Sequence, residues 1–226
     1  MSLLIERTIA NGTLLAVWDI SEDADWFYSK LILNKEELRL IAGISHPQRK
    51  LHYLASRVLL RTVMKTDEFI HLENDLNGKP VILNFPMQVS LSHSASLTAL
   101  LLSDRFEVGI DIEKIDPKIC RIQHKFMKEE ELNGLSEENE LETLYVYWCA
   151  KEAMYKLYGK KQLNFLNHLF IKPFKYMESG NLQGVISKEP VSCDLNVHYE
   201  KIDDYMLAYV MNENVSLKVT EGYGSK

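Results

Sequence analysis

An α+β fold built from two similar halves is what this sequence predicts, and three observations carry that expectation. Helical periodicity gives way to short strands twice along the 226 residues, with a break near Asp104-Arg105. The strand-like runs are bounded by turn residues, as antiparallel strands are. No Gly-, Pro- or Ser-rich linker separates the two passages. Each half is therefore expected to be a small antiparallel sheet packed on a long helix, over residues 1–104 and 105–226, in a pseudo-two-fold plan. No residue-level repeat is visible, so the two-fold plan rests on element order alone.

The first strand is expected over Thr13–Trp18, after the Asn11-Gly12 turn. Helices follow over about 22–33 and 35–41. A stronger helix runs from Pro47 to Met64, with Leu51, Leu54, Ala55, Val58, Leu59 and Val63 at helical spacing. Pro47 suits its first turn, where a missing N–H costs nothing. Asn77-Gly78-Lys79-Pro80 is a turn, and short strands are expected near 81–83, 88–91, 97–103 and 106–113. Helix is expected again over 117–135 and 140–158, the latter with Leu141, Leu144, Tyr145 and Trp148 on one side. Strands over 168–171, 182–187, 194–201 and 205–211 complete the chain, with a hairpin turn at Gly180-Asn181.

Composition excludes several classes. A formal net charge of −6 argues against a general nucleic-acid binder, so any grip on phosphate must come from a local cluster of basic side chains. Cys120, Cys149 and Cys193 share no metal-ligand spacing and read as reduced thiols. The N-terminus lacks a basic segment followed by an apolar core, and the apolar stretch 97–102 is too short to span a bilayer. A soluble, cytoplasmic protein without membrane partners is the expectation.

The chemistry is concentrated in two segments. In Val108-Gly109-Ile110-Asp111-Ile112-Glu113 the aliphatics alternate with Gly109, Asp111 and Glu113. A strand puts both carboxylates on one face, about 7 Å apart at their base, where they can converge on a small cation. Gly109 would leave that face open to a bulky ligand. Taken alone, Asp-x-Glu is also what a strand with one wet face carries. In the second segment, Trp148-Cys149-Ala150-Lys151-Glu152-Ala153-Met154-Tyr155-Lys156, Glu152 lies one turn beyond Trp148 at the edge of the buried stripe. A carboxylate there needs a partner or a metal. An ordinary Glu152–Lys156 ion pair along the helix would satisfy it too.

Together the two segments resemble the signature of the 4′-phosphopantetheinyl transferases, a (V/I)GxDxE strand followed some forty residues later by a WxxKEAxxK helix. Gly78-Lys79-Pro80 and Leu91-Ser92-His93-Ser94 resemble the family's GKP turn and SHS strand end. The resemblance covers 77–159 closely and implies a monomeric enzyme of the Sfp-type branch. Such an enzyme moves phosphopantetheine from coenzyme A to a serine of an apo acyl or peptidyl carrier protein with Mg²⁺. It implies Asp111, Glu113 and Glu152 as metal ligands and Lys156 on the pyrophosphate. Ser92 and His93 would donate to phosphate oxygens, Lys151 would face phosphate or carrier, and Lys79 and Pro80 would line the adenine end. Arg49 and Arg57 are candidates for the 3′-phosphate. The 1–104 half thus becomes the adenine and 3′-phosphate side, and the 105–226 half the metal and carrier side. Glu131 matches the glutamate of the family's FxxxE-like segment and is the expected general base, with Glu152 or a metal-bound water as alternatives. His46, His52, His71, His124, His168 and His198 receive no role.

One departure bears on partners. Relatives often carry KxxGxGL after the helix, whereas Lys156-Leu157-Tyr158-Gly159-Lys160-Lys161-Gln162-Leu163 keeps only the first glycine. The residues still form a basic patch, Lys151, Lys156, Lys160 and Lys161, suited to an acidic carrier. Two other readings stand beside the transferase: a non-catalytic coenzyme A or nucleotide binder of the same fold, and a metal-dependent phosphate-ester hydrolase. The hydrolase would need further carboxylate or histidine ligands, and none cluster in the sequence.

Overall fold

The first turn of the chain shows how local chemistry sets the strands. Asn11-Gly12, with Gly12 at φ +72°, joins β1 (Leu3–Ala10) to β2 (Thr13–Asp19) as an antiparallel hairpin. β1 lies ahead of the first expected strand; only its partner β2 carries a strongly apolar pattern. The computed structural model describes residues 2–189 and 191–213, so 214–226 of the expected second half lie outside the described residues. The chain divides into two compact units, Met1–Arg105 and Phe106–Lys226.

In the first unit, α1 (Ala24–Ser29) is opened by the Asp23 carboxylate, which accepts from the Trp26 N–H. It is shorter than the expected 22–33. α2 (Lys35–Ala42) begins with a capping box between Asn34 and Glu37. α3 (Pro47–Met64) has Pro47 in its first turn and ends where Lys65 turns left-handed at φ +50°. It buries Leu54, Ala55, Val58, Leu59 and Val63 against an antiparallel sheet of order β1-β2-β6-β5. β5 spans Gln88–Ser94 and β6 spans Leu97–Ser103. Between helix and sheet strands, β3 (Leu72–Asn74) and β4 (Pro80–Ile82) form a separate small hairpin.

The second unit opens with β7 (Phe106–Lys114). The helix expected over 117–135 is instead two tight three-residue-repeat turns, Pro117–Arg121 and Gln123–Lys125, followed by a short α4 (Glu129–Leu132). Backbone bonds such as Ile122 N–H to Ile119 O and Phe126 N–H to Gln123 O span three residues rather than four. Ile119, Phe126 and Met127 are the buried anchors, a spacing that wraps a segment over a core instead of laying a straight apolar stripe. α5 (Glu140–Tyr158) matches its expected range. After α6 (Phe165–His168) come β8 (Leu169–Ile171), β9 (Ser179–Lys188), β10 (Val191–Ile202) and β11 (Tyr205–Glu213), in a sheet of order β7-β11-β10-β9-β8.

Gly180 and Asn181 do not form a turn. They pair with Tyr199 and His198 inside the β9–β10 ladder, and the reversal falls between Lys188 and Val191. A Cβ on Gly180 would meet the Tyr199 ring at 2.9 Å, so the glycine makes room for a cross-strand aromatic. Each unit thus holds an antiparallel sheet packed on a long helix, as expected of an α+β chain. Each also shares one connection: a strand, a long helix, then a hairpin whose last strand pairs back on the first, β2–α3–β5–β6 and β7–α5–β10–β11.

Candidate active site

β7 positions the first carboxylates, and both of its faces are buried at its centre, Val108–Ile112. Val108, Ile110 and Ile112 are fully buried on one face, and Gly109, Asp111 and Glu113 lie on the other, toward α5. Gly109 is the contact point. A Cβ there would lie 2.0 Å from the Ala153 carbonyl oxygen and 2.7 Å from the Leu157 nitrogen, both backbone atoms of α5. The glycine therefore admits a helix, which corrects the expectation that it leaves the face open to a ligand. Close approach of α5 puts Glu152 and Lys156 opposite Asp111.

The result is a charged seam that is only partly wet. Lys156 Nζ donates to Asp111 Oδ1 at 2.8 Å and to the Ile110 carbonyl at 2.9 Å. Asp111 is buried at 4% exposure, so the strand's second face is not the wet face of an ordinary edge. Lys156 bridges to the strand, not along its own helix to Glu152. The Glu152 carboxyl is pushed up to about 7 by burial first, then by the negative charges of Asp111 and Glu113, with Lys156 pulling the other way. Three carboxylates thus crowd within charge-coupling range. Among the described residues no three Asp, Glu, His or Cys side chains are already gathered as a metal cage. A hard divalent cation that keeps several waters needs only part of such a set from the protein, and it would relieve the crowding. The donor chemistry fits Mg²⁺.

Two expected site residues lie elsewhere. Glu131 and Lys151 are both 0% exposed, and Lys151 Nζ meets Glu131 Oε2 at 2.7 Å while also donating to the Phe126 carbonyl. The remaining capacity of Glu131 is taken by backbone N–H groups, Lys128 at 2.7 Å and Ile171 at 2.9 Å. A carboxylate sealed from solvent and bonded to Lys151 and two backbone N–H groups is poorly placed to collect a proton from a second protein, which argues against Glu131 as general base. Lys151, expected to face phosphate or carrier, is likewise buried and bonded within the unit. It ties α5 to the segment 126–131 and, through Glu131, to β8. Of the four-lysine patch, Lys160 and Lys161 are exposed, while Lys156 is committed to Asp111.

The first unit holds the other candidates. On β5, Val89, Leu91 and His93 face α3, whereas Ser92, 7% exposed, alternates to the opposite face. His93 is exposed, and its ring stacks on His52 of α3 with centroids 4.2 Å apart. Lys79 and Pro80 close the β3–β4 turn. The Asp75 carboxylate accepts from the Asn77 and Lys79 N–H groups there, and Gly78 takes φ +88°. Those two backbone bonds, Lys79's foremost, hold the Asp75 carboxyl below its ordinary range.

Arg49 is exposed on α3. Arg57 is not positioned beside His93: five residues beyond His52, it sits about 140° around the helix. Its guanidinium lies 3.3 Å over the Tyr53 ring and donates to the Tyr53 carbonyl, and burial pulls its pKa down. It lines a cleft of about 290 Å³ with Glu37, Tyr53, His71 and Glu73. Arg57, expected as a candidate for the 3′-phosphate, thus shares its cleft with two carboxylates, Glu37 and Glu73. His52, given no role by sequence, is brought to His93 by a tertiary contact that no local pattern signals.

Comparison with known proteins adds a family match over part of the chain. Residues 107–210 match the model of the 4′-phosphopantetheinyl transferase superfamily. The chain is 35% identical over 127 residues to the 4′-phosphopantetheinyl transferase AcpT of Salmonella typhi, covering 53% of this chain and 65% of that one. It is 35% identical over 118 residues to AcpT of Escherichia coli, 49% of this chain and 59% of the relative. With the 4′-phosphopantetheinyl transferase gsp of Aneurinibacillus migulanus it shares 27% identity over 181 residues, 77% of this chain and 70% of the relative. The matched segments thus span just under two thirds of the AcpT relatives' length.

Proposed function

We propose that this chain, whose residues 107–210 match the 4′-phosphopantetheinyl transferase superfamily, transfers the phosphopantetheine group of coenzyme A to a serine of an apo acyl or peptidyl carrier protein. The observation that carries the proposal is the seam of Asp111, Glu113, Glu152 and Lys156 between β7 and α5. In the reaction, the serine oxygen forms a bond to the phosphorus nearer the pantetheine arm. The pyrophosphate bond breaks, and 3′,5′-ADP leaves. A Mg²⁺ held by Asp111, Glu113 and Glu152 would supply charge neutralisation on the pyrophosphate.

This chain's own groups supply the rest. The serine proton is proposed to pass to Glu152, whose carboxyl stands at about 7 in the cation-free seam and would be lowered by a bound cation. Lys156 orients Asp111 and brings positive charge to the leaving pyrophosphate. In the first unit, His93 is the proposed side-chain phosphate donor, with Ser92, whose hydroxyl lies on the other face of β5, set aside; Arg49 is a proposed 3′-phosphate contact, and Lys79 and Pro80 the proposed adenine contacts. Exposed Lys160 and Lys161 would meet the acidic carrier. Three free cysteines suit a reducing cytoplasm. Among the described residues no helix is long and apolar enough to cross a membrane. A monomer acting in the cytoplasm is the proposed state.

The test is to incubate the protein with coenzyme A, Mg²⁺ and an apo carrier and to weigh the carrier. A mass gain of one phosphopantetheine, lost in Asp111→Ala and Glu152→Ala, is expected. Coenzyme A binding without any gain on several apo carriers would instead identify a non-catalytic binder.

A further inference from the structure

We infer that His52 is the positioning residue that holds His93 in its phosphate-donating orientation, an inference that rests on the proposed role of His93. The two rings stack at 4.2 Å with planes 25° apart. They differ in setting: His52 is 8% exposed, whereas His93 stands in the open at the end of β5. A histidine side chain has two rotatable bonds, and ordering it on binding costs affinity. A neighbouring ring already fixed in the core removes part of that cost.

His52 is fixed from a second direction. Its Nε2 lies 2.8 Å from the carbonyl oxygen of Ala95, and Gln48 Nε2 donates to the same oxygen at 2.8 Å. Gln48 and His52 are one helical turn apart, so α3 presents them side by side. Ala95, at φ +47°, starts the turn just beyond Ser92-His93-Ser94, a left-handed conformation that needs support from its surroundings. One residue of α3 therefore braces both the ring of His93 and the turn that ends its strand. Because the Ala95 carbonyl can only accept, this bond puts a proton on Nε2 of His52.

A buried histidine bonded to a carbonyl is commonly structural, so the test must separate structure from positioning. The dissociation constant and KM for coenzyme A are measured on His52→Ala, His52→Phe, His52→Asn and His93→Ala, and on the His52→Ala/His93→Ala pair, alongside urea unfolding. His52→Ala should weaken coenzyme A binding about fivefold with kcat nearly unchanged, the scale of one side chain losing its pre-ordering. His52→Phe, which keeps the stack, should restore most of the affinity. His52→Asn, which can keep a bond to Ala95 but not the stack, should not. In the His93→Ala background, His52→Ala should add nothing.

If His93→Ala itself leaves affinity unchanged, the phosphate-donor role of His93 fails. If His93→Ala weakens binding but His52→Ala does not, the positioning role fails alone. An effect of His52→Ala that persists undiminished without His93, or unfolding of all three His52 variants, would also overturn it.

Discussion

Lys151→Met should damage stability far more than chemistry. Lys151 and Glu131 are both fully buried and 2.7 Å apart. Removing the ammonium leaves the Glu131 carboxylate in the core, held only by the N–H groups of Lys128 and Ile171. Breaking one partner of a buried pair costs about 3–5 kcal/mol, because the survivor keeps its desolvation penalty. Against a typical domain stability of about 5–15 kcal/mol, the variant should still fold but with a large share of its margin gone. Urea unfolding followed by fluorescence suits the measurement, since Trp148 packs edge-on against Phe126, whose carbonyl also accepts from Lys151. Glu131→Gln keeps an acceptor for one of the two N–H groups and should cost less, with kcat of the folded fraction within a few-fold of the parent. A loss under about 1 kcal/mol for Lys151→Met would refute the buried-pair reasoning. A several-hundredfold fall in kcat for Glu131→Gln at unchanged stability would return Glu131 to the chemistry.

Three further outcomes follow from the same geometry. Gly109→Ala drives a methyl into the α5 backbone at Ala153 and Leu157, so α5 must retreat; stability should fall by about 1–3 kcal/mol or more, and activity by roughly a hundredfold as Glu152 leaves Asp111. Thermal melts and initial rates check both. Without divalent cation, the raised Glu152 pKa makes the folded state hold a proton that the unfolded state releases between its ordinary value of 4.5 and about 7. Melting temperature in a chelator should therefore rise as pH is lowered through that window, and Glu152→Gln should flatten the profile relative to the parent. Charge reversal at Lys160 and Lys161 together should slow carrier association in stopped-flow measurements, and the deficit should shrink at high salt; equal rates at low salt would dismiss the steering role.

Much was determined by the sequence alone. α3 and α5 carry long apolar stripes with Pro47 at one start and Gly159 at one end, so local chemistry and periodicity set their limits to the residue. β6 and β7 were legible for the same reason, from continuous or alternating aliphatics. So was the pairing of Asp111 with Glu113, since a strand's two-residue period is obligatory. What local pattern could not reach was whatever depends on a distant partner. β1 is weakly apolar and exists through β2. The 117–132 segment takes its turns from anchors in the core, and Gly180 serves an aromatic ring on β10 rather than a reversal.

The site divides the same way. Its carboxylates, Asp111, Glu113 and Glu152, were visible as residue types at characteristic spacings. Which charge meets which was decided by tertiary structure. Lys156 reaches across to Asp111 on β7, Lys151 turns inward to Glu131, Arg57 folds over Tyr53, and His52 comes to His93 from another element. A side chain's type and period are properties of its neighbours in sequence. Its burial and its partner are properties of the surface packed against it, and at Gly109 that surface is the backbone of α5.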